Sequence, residues 1–390
     1  GRPARGADAG TLAGAQNAFG IELFQTIYGK SSGANLFLSP ASAQTALAML
    51  YNGAQGTTRQ AMARALCFGA LSDPQVNDQM AEFRKSLSAQ TGVRLDIADS
   101  LWGNRRVRFK DDFLKINRLY YDAAVESLDF SNPASLGRIN RWCDRQTRGK
   151  IPVILDELRP DDALVLLNAI YFKGLWETPF QKELTSPGDF HAAGGVRQAP
   201  LMSRTGTFSY AQTNDYQAVA LPYRGGALRM LLFLPAQGPS AAGALDSFVA
   251  ALSSATIASA AAAMQPAKIE LGVPRFRMEN AADLVPALTA MGMGIAFDPA
   301  AADFGALADR GHGPAFFVGR ALQKAFVDVS EEGTEAAAAT VVTVSASAAM
   351  EPPPVRVDFD RPFLFMIQDQ ATGAVLFIGC VQDPTQPLGR

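Results

Sequence analysis

Glu331-Glu332-Gly333-Thr334-Glu335-Ala336-Ala337-Ala338-Ala339-Thr340-Val341-Val342-Thr343-Val344-Ser345-Ala346-Ser347-Ala348-Ala349-Met350, closed by Glu351 and Pro352-Pro353-Pro354, is the stretch whose reading decides the fold. After Glu335 it has no charge, proline or glycine until Glu351. Alternate residues of a strand point to opposite faces. One face therefore holds Thr334, Ala336, Ala338, Thr340, Val342 and Val344, all small or β-branched and suited to a dry interior. The other face, Glu335, Ala337, Ala339, Val341, Thr343 and Ser345, tolerates water. A strand of this composition belongs inside a sheet, yet its acidic entry and proline exit mark the ends of an exposed loop. Such a conflict points to a functional site, a strand held outside the sheet it suits. The plain alternative is a low-complexity Ala/Ser/Val linker.

The remaining composition narrows the setting. At 390 residues and 48% hydrophobic the chain can bury a large core. No linker or composition shift divides it, so one large domain is expected over 11–390 behind a disordered leader at 1–10. A formal charge of −2 with scattered Lys and Arg gives no basic field, which argues against a nucleic-acid partner. No run approaches the ~18 apolar residues of a membrane span. Cys67, Cys143 and Cys380 lack C-x-x-C spacing and read as buried thiols, with neither disulfide framework nor metal, and no cofactor is expected. Gly1 in place of Met is read as the loss of an upstream segment.

Along the chain, Leu12, Phe19, Leu23, Phe24 and Ile27 space out an amphipathic helix that ends before Gly29. Gly29-Lys30-Ser31-Ser32-Gly33 matches the G-x-S-x-G nucleophile elbow literally. That elbow needs a strand before it, a helix directly after, and a later His. Here a helix precedes it, and only His191 and His312 exist, each in a Gly/Ala-rich stretch. A hydrolase is therefore disfavoured, and the chain reads as no enzyme. A phosphate loop fails too, because Phe24 stands where the first glycine is required. Val165 to Phe172 is apolar enough for a central strand. Phe363 to Ile367 and Val375 to Ile378, parted by Asp369-Gln370-Ala371-Thr372-Gly373, read as a buried hairpin. Helices and strands interleave irregularly, which indicates an α+β fold.

A series of ordered motifs carries a family resemblance. Asn35-Leu36-Phe37-Leu38-Ser39-Pro40-Ala41-Ser42 leads into Ala46-Leu47-Ala48-Met49-Leu50-Tyr51-Asn52-Gly53-Ala54. Ala98-Asp99-Ser100-Leu101-Trp102, Ile139-Asn140-Arg141-Trp142 and Asn168-Ala169-Ile170-Tyr171-Phe172-Lys173-Gly174-Leu175-Trp176 follow. Leu221-Pro222-Tyr223, Val273-Pro274-Arg275-Phe276, Arg361-Pro362-Phe363 and Thr372-Gly373-Ala374-Val375 complete the order. Together they resemble the serpin family over residues 11 to 385.

The resemblance implies a serpin fold: three β-sheets wrapped by about nine helices, with an exposed reactive-centre loop at 331–354. It implies a suicide inhibitor of serine proteases, which traps the acyl-enzyme while the cut loop inserts as a new central strand. The hinge falls on Glu331, Gly333, Thr334, Glu335, Ala336, Ala337, Ala338 and Ala339. The residues beneath it, called shutter and breach in the family, fall on Ser39, Ser42, Asn168, Trp176 and Gln323. Read without the resemblance, these are a turn residue, a cap, a satisfied amide and core packing. Two departures stand out: Asp99 where Asn is usual, and Gln323 where His is usual, which removes a group that titrates near neutral pH. The resemblance implies a scissile bond about fourteen residues beyond the hinge glycine, which counted from Gly333 falls between Ser347 and Ala348, with Ala346 and Met350 as competitors. That small, neutral neighbourhood favours elastase-like and subtilisin-like targets, with papain-like cysteine proteases as further partners. The helix around Asn77 to Gly92 offers only Arg84 and Lys85 beside Asp78 and Glu82, so no heparin-type activator is expected. A monomer in an extracellular setting is the expectation. The alternative is a non-inhibitory member, a carrier, chaperone or storage protein, which would more often show charge, proline or bulk in the hinge.

Overall fold

The computed structural model describes residues 11–31, 33–69, 71–88, 90–237, 241–309, 316–334 and 353–386. Nine α-helices and two hydrogen-bonded sheets are present among the described residues. The first helix, Leu12–Tyr28, starts at Thr11, whose hydroxyl accepts from the Gly14 amide, and buries Leu12, Phe19, Leu23 and Phe24. It ends where the elbow motif begins, and Ser31 Oγ donates back to Ile27 O, so this hydroxyl finishes the helix.

The nine-stranded sheet runs Leu36–Leu38, Val375–Val381, Phe363–Asp369, Leu228–Pro235, Tyr216–Pro222, Gly195–Gln212, Gln265–Pro274, Val355–Asp358, and Ser186–Ala192 joins it on Gly195–Gln212. The expected hairpin is confirmed: Phe363–Asp369 and Val375–Val381 pair antiparallel and every residue of both is buried. Two of the three expected sheets are thus one continuous ladder. The cause is the 18-residue strand Gly195–Gln212, which pairs Ser186–Ala192 at one end and Gln265–Pro274 and Tyr216–Pro222 at the other.

The six-stranded sheet runs Phe276–Asp283, Val318–Ser330, Gly333–Thr334, Leu164–Leu175, Val93–Asn104, Ala124–Leu128. Leu164–Leu175 is the predicted central strand, buried on both faces except at its last turn of residues. One face packs on Phe37, Phe190, Phe365 and Phe377 and on the fully buried helix Pro40–Tyr51. That helix begins with the Ser39 cap and a proline in its first turn, where a missing N–H costs nothing. The opposite face is covered at one end by helix Pro133–Gln146, which lays Ile139 and Cys143 on Trp102, Val165 and Leu167. All three cysteines are buried, and burial pushes the Cys143 and Cys380 thiols up to about 12.

Candidate functional site

The central seam of the six-stranded sheet is closed at one end and wedged at the other. Val318–Ser330 and Leu164–Leu175 pair in parallel from Val318↔Leu164 to Phe326↔Tyr171. Beyond that rung they part, and Gly333–Thr334 sits between them, antiparallel to both: Thr334 opposite Gly174 and Val329, Gly333 opposite Leu175 and Ser330. The chain can enter this way only through glycine. Gly333 has φ +150°, and a Cβ there would lie 2.1 Å from Gly174 O.

Side chains from distant elements hold the wedge. Thr334 is wholly buried, and its Oγ1 lies 2.8 Å from Tyr223 Oη. Trp176 stacks on Tyr223 with centroids 4.7 Å apart, and its indole N–H donates to Ser330 O at 2.9 Å. The Trp176 and Phe180 amides donate to Glu332 O and Glu331 O. Glu331 is only 2% exposed; its carboxylate accepts from Arg275 Nε at 2.7 Å and from Thr185 Oγ1. Burial pushes this carboxyl up, but the Arg275 and Thr185 hydrogen bonds outweigh it and hold it below the usual range. Lys182 pairs with Glu332 at 2.5 Å. An open groove of about 690 Å³ beside the wedge is lined by Lys182, Arg275, Arg277, Asp328 and Glu332.

At the closed end, a buried polar network crosses the seam. Gln323 Nε2 donates to Asn168 Oδ1 at 2.6 Å and to Ser39 O at 2.8 Å, while its Oε1 accepts from the Ser39 amide at 2.9 Å. Asn168 Nδ2 donates to Ser42 Oγ and to Asp99 Oδ1. Ser39 Oγ donates to Leu376 O at 2.8 Å, which ties the network to the nine-stranded sheet. Ser39 thus caps a helix and also belongs to the seam. Asp99 is 4% exposed, and burial, partly offset by Arg84 and by the Asn168 hydrogen bond, raises its carboxyl to about 6. Its second oxygen has no hydrogen-bond partner among the described residues.

The structure brings together Ser39, Ser42, Asn168 and Gln323 at one level and Glu331, Gly333, Thr334 and Trp176 at another. The expectations for Glu335, Ala336, Ala337, Ala338 and Ala339, for the Ser347–Ala348 bond, and for Ala346 and Met350 fall on residues outside those described. Tyr223, Asp99, Arg275, Lys182 and Thr185 were not among the expected site residues. Tyr223 and Asp99 lay inside the quoted motifs, but nothing local to them names Thr334 or Asn168 as partner.

The structure is an α+β body whose central parallel pair parts at one end around the two-residue strand Gly333–Thr334. Comparison with known proteins gives it a family: the description "Serpin (serine protease inhibitor)" matches residues 14–384, and the chain belongs to the serpins. It is 36% identical over 377 residues to an uncharacterized serpin-like protein of Thermococcus kodakarensis, covering 94% of this chain and 84% of that one. A leukocyte elastase inhibitor of Xenopus laevis is 32% identical over 96% of this chain and 99% of its own length. The native-state crystal structure of tengpin, a thermophilic serpin, superposes with a TM-score of 0.86 at 28% identity, covering 95% of this chain and 93% of that one.

Proposed function

We propose that this serpin is a suicide-substrate inhibitor of serine proteases with elastase-like or subtilisin-like specificity. The observation that carries the reading is the wedge: Gly333–Thr334 already forms an antiparallel strand between the two strands that further insertion would part. Continuing the observed register sets Ala336 beside Phe172 and Val327, Ala338 beside Ile170 and Ala325, and Thr340 beside Asn168 and Gln323. Each inward side chain is small and uncharged, so each rung gains ladder hydrogen bonds without burying an unpaired charge. Asn168 and Gln323 would be parted, and the Thr340 hydroxyl can both donate and accept between them.

The loop is anchored at Thr334 in one sheet and at Val355 in the other, where Val355–Asp358 pairs with Gln265–Pro274. A protease serine attacks the Ser347 carbonyl, the Ser347–Ala348 amide breaks, and Ala348 leaves as an amine carrying the proton. The new ester keeps the protease on the N-terminal piece. Insertion of that piece then carries it away from Val355. The relative named leukocyte elastase inhibitor agrees with the small, neutral residues around Ser347. Papain-like proteases are secondary targets, the protein acts as a monomer outside the cytoplasm, and sulphated polysaccharides do not accelerate it.

The test is incubation with elastase, subtilisin, trypsin and papain, followed by denaturing electrophoresis and the mass of the released peptide. A stable covalent complex and a fragment beginning at Ala348 support the reading; a fragment beginning at Glu351 moves the bond to Met350. Cleavage without any complex by every protease, or cleavage only at Arg356, overturns it. Then the alternative of a non-inhibitory member stands.

A further inference from the structure

The last closed rung of the seam carries a ring pair. Tyr171 and Phe326 face each other across it with centroids 6.1 Å apart and planes at 32°. They lie on the sheet face opposite to Asn168, since odd and even residues of the strand alternate. That face should tolerate solvent, yet Tyr171 is 1% and Phe326 5% exposed. Cations cover both rings: Arg94 at 5.9 Å and Lys150 at 5.4 Å from the Tyr171 centroid, Arg277 at 5.0 Å from that of Phe326. Arg94 comes from Val93–Asn104, Arg277 from Phe276–Asp283, and Lys150 from the turn after helix Pro133–Gln146.

We propose that Tyr171 and Phe326 form a clasp, the first closed rung that an advancing strand must break, and that they are positioning residues which set when the seam opens. This rests on the insertion reading given above. The rings sit on adjacent strands about 4.8 Å apart; with a strand between, their backbones would be about 9.6 Å apart, beyond ring contact. The register places Ala337 between them, and a methyl group restores no ring contact. The two faces of the seam therefore behave differently. On the Asn168 face the incoming Thr340 can replace the lost hydrogen bonds, whereas on the Tyr171 face nothing replaces the ring pair. Each ring keeps its own cations, Arg94 and Lys150 with Tyr171 and Arg277 with Phe326, so opening costs this face the ring–ring contact. The clasp weighs on the uncut protein alone.

The experiment is a double-mutant cycle of Tyr171→Leu and Phe326→Leu, read by urea unfolding of the intact protein and of the protein nicked in its loop by a metalloprotease, which forms no acyl-enzyme. Coupling between the two sites is expected in the intact protein and is expected to vanish in the nicked one. Phe326→Leu should speed covalent complex formation by a factor of a few to about tenfold, and Phe326→Tyr, which keeps the ring, should restore the wild-type rate. Equal coupling in both forms means ordinary packing and overturns the clasp, as does no coupling in the intact protein. If nicking leaves the wild-type melting midpoint unchanged, the insertion reading fails and the clasp's role falls with it. Persistence of coupling in an inserted, stabilised form sinks the clasp alone.

Discussion

The two sheets are built from similarly apolar strands but differ in what their centres can accept. In the nine-stranded sheet, Phe363–Asp369 is hydrogen-bonded on both sides, to Val375–Val381 and to Leu228–Pro235, and both of these pairings are antiparallel. In the six-stranded sheet, the two central strands run parallel, stop pairing at Phe326↔Tyr171, and leave their outer ends to a two-residue wedge. A strand paired on both sides leaves no place for another; on the proposed reading, the parted ends of the second sheet do leave one. The sequence that follows Gly333–Thr334 has no charge, proline or glycine between Glu335 and Glu351, and on the proposed reading it suits the second sheet.

Substitutions can break this comparison. The largest effect is expected from Thr334→Arg, which puts a charge into the wholly buried site where Thr334 meets Tyr223, at a cost of several kcal/mol. The variant should be cleaved as a substrate, and a wild-type yield of covalent complex on denaturing gels would contradict the wedge. Next comes Phe365→Ala in the finished sheet, where Phe365 packs on Phe37 and Phe276. A loss of about 3–5 kcal/mol is expected, equal in intact and nicked protein, because this sheet does not change. Urea titrations of both forms measure it.

Asp99→Asn tests the closed end through pH. Folding raises the Asp99 carboxyl from 3.8 to about 6, so the native state binds a proton that the unfolded state has lost over that interval. The stability this proton gives is fully present below about pH 4 and is lost as pH rises through about 6. The free-energy difference between wild type and Asp99→Asn should therefore change by about 2–3 kcal/mol between pH 4 and pH 8. A difference independent of pH would contradict the buried carboxyl. The smallest effect belongs to Lys182→Ala, because the Lys182 side chain is 57% exposed and surface pairs add little. Melting midpoint and inhibition stoichiometry should both match wild type.

How much of this the sequence discloses depends on whether the cause is local. The central strand, the buried hairpin and the first helix are periodicity and composition, and the structure returns Leu164–Leu175, Phe363–Asp369 with Val375–Val381, and Leu12–Tyr28. Ser39 and Pro40 announce a helix start by their own chemistry. The merged sheets were not legible, because Gly195–Gln212 gives no sign of where one pairing partner ends and the next begins. Nor was the support of the wedge. Tyr223 and Thr334, Arg275 and Glu331, and Lys182 and Glu332 meet only because the fold closes loops of 111, 56 and 150 residues. Asp99 reads as one more strand residue until its neighbours bury it.

The central claim is that the seam accepts the loop once the loop is cut. Differential scanning calorimetry before and after a single nick in the loop by a metalloprotease, which forms no acyl-enzyme and so is not trapped, tests it most directly. A large rise in the melting midpoint of the nicked protein is predicted, since the wedge extends into a full antiparallel strand. A midpoint that stays or falls, with the nick verified by mass, would contradict the account.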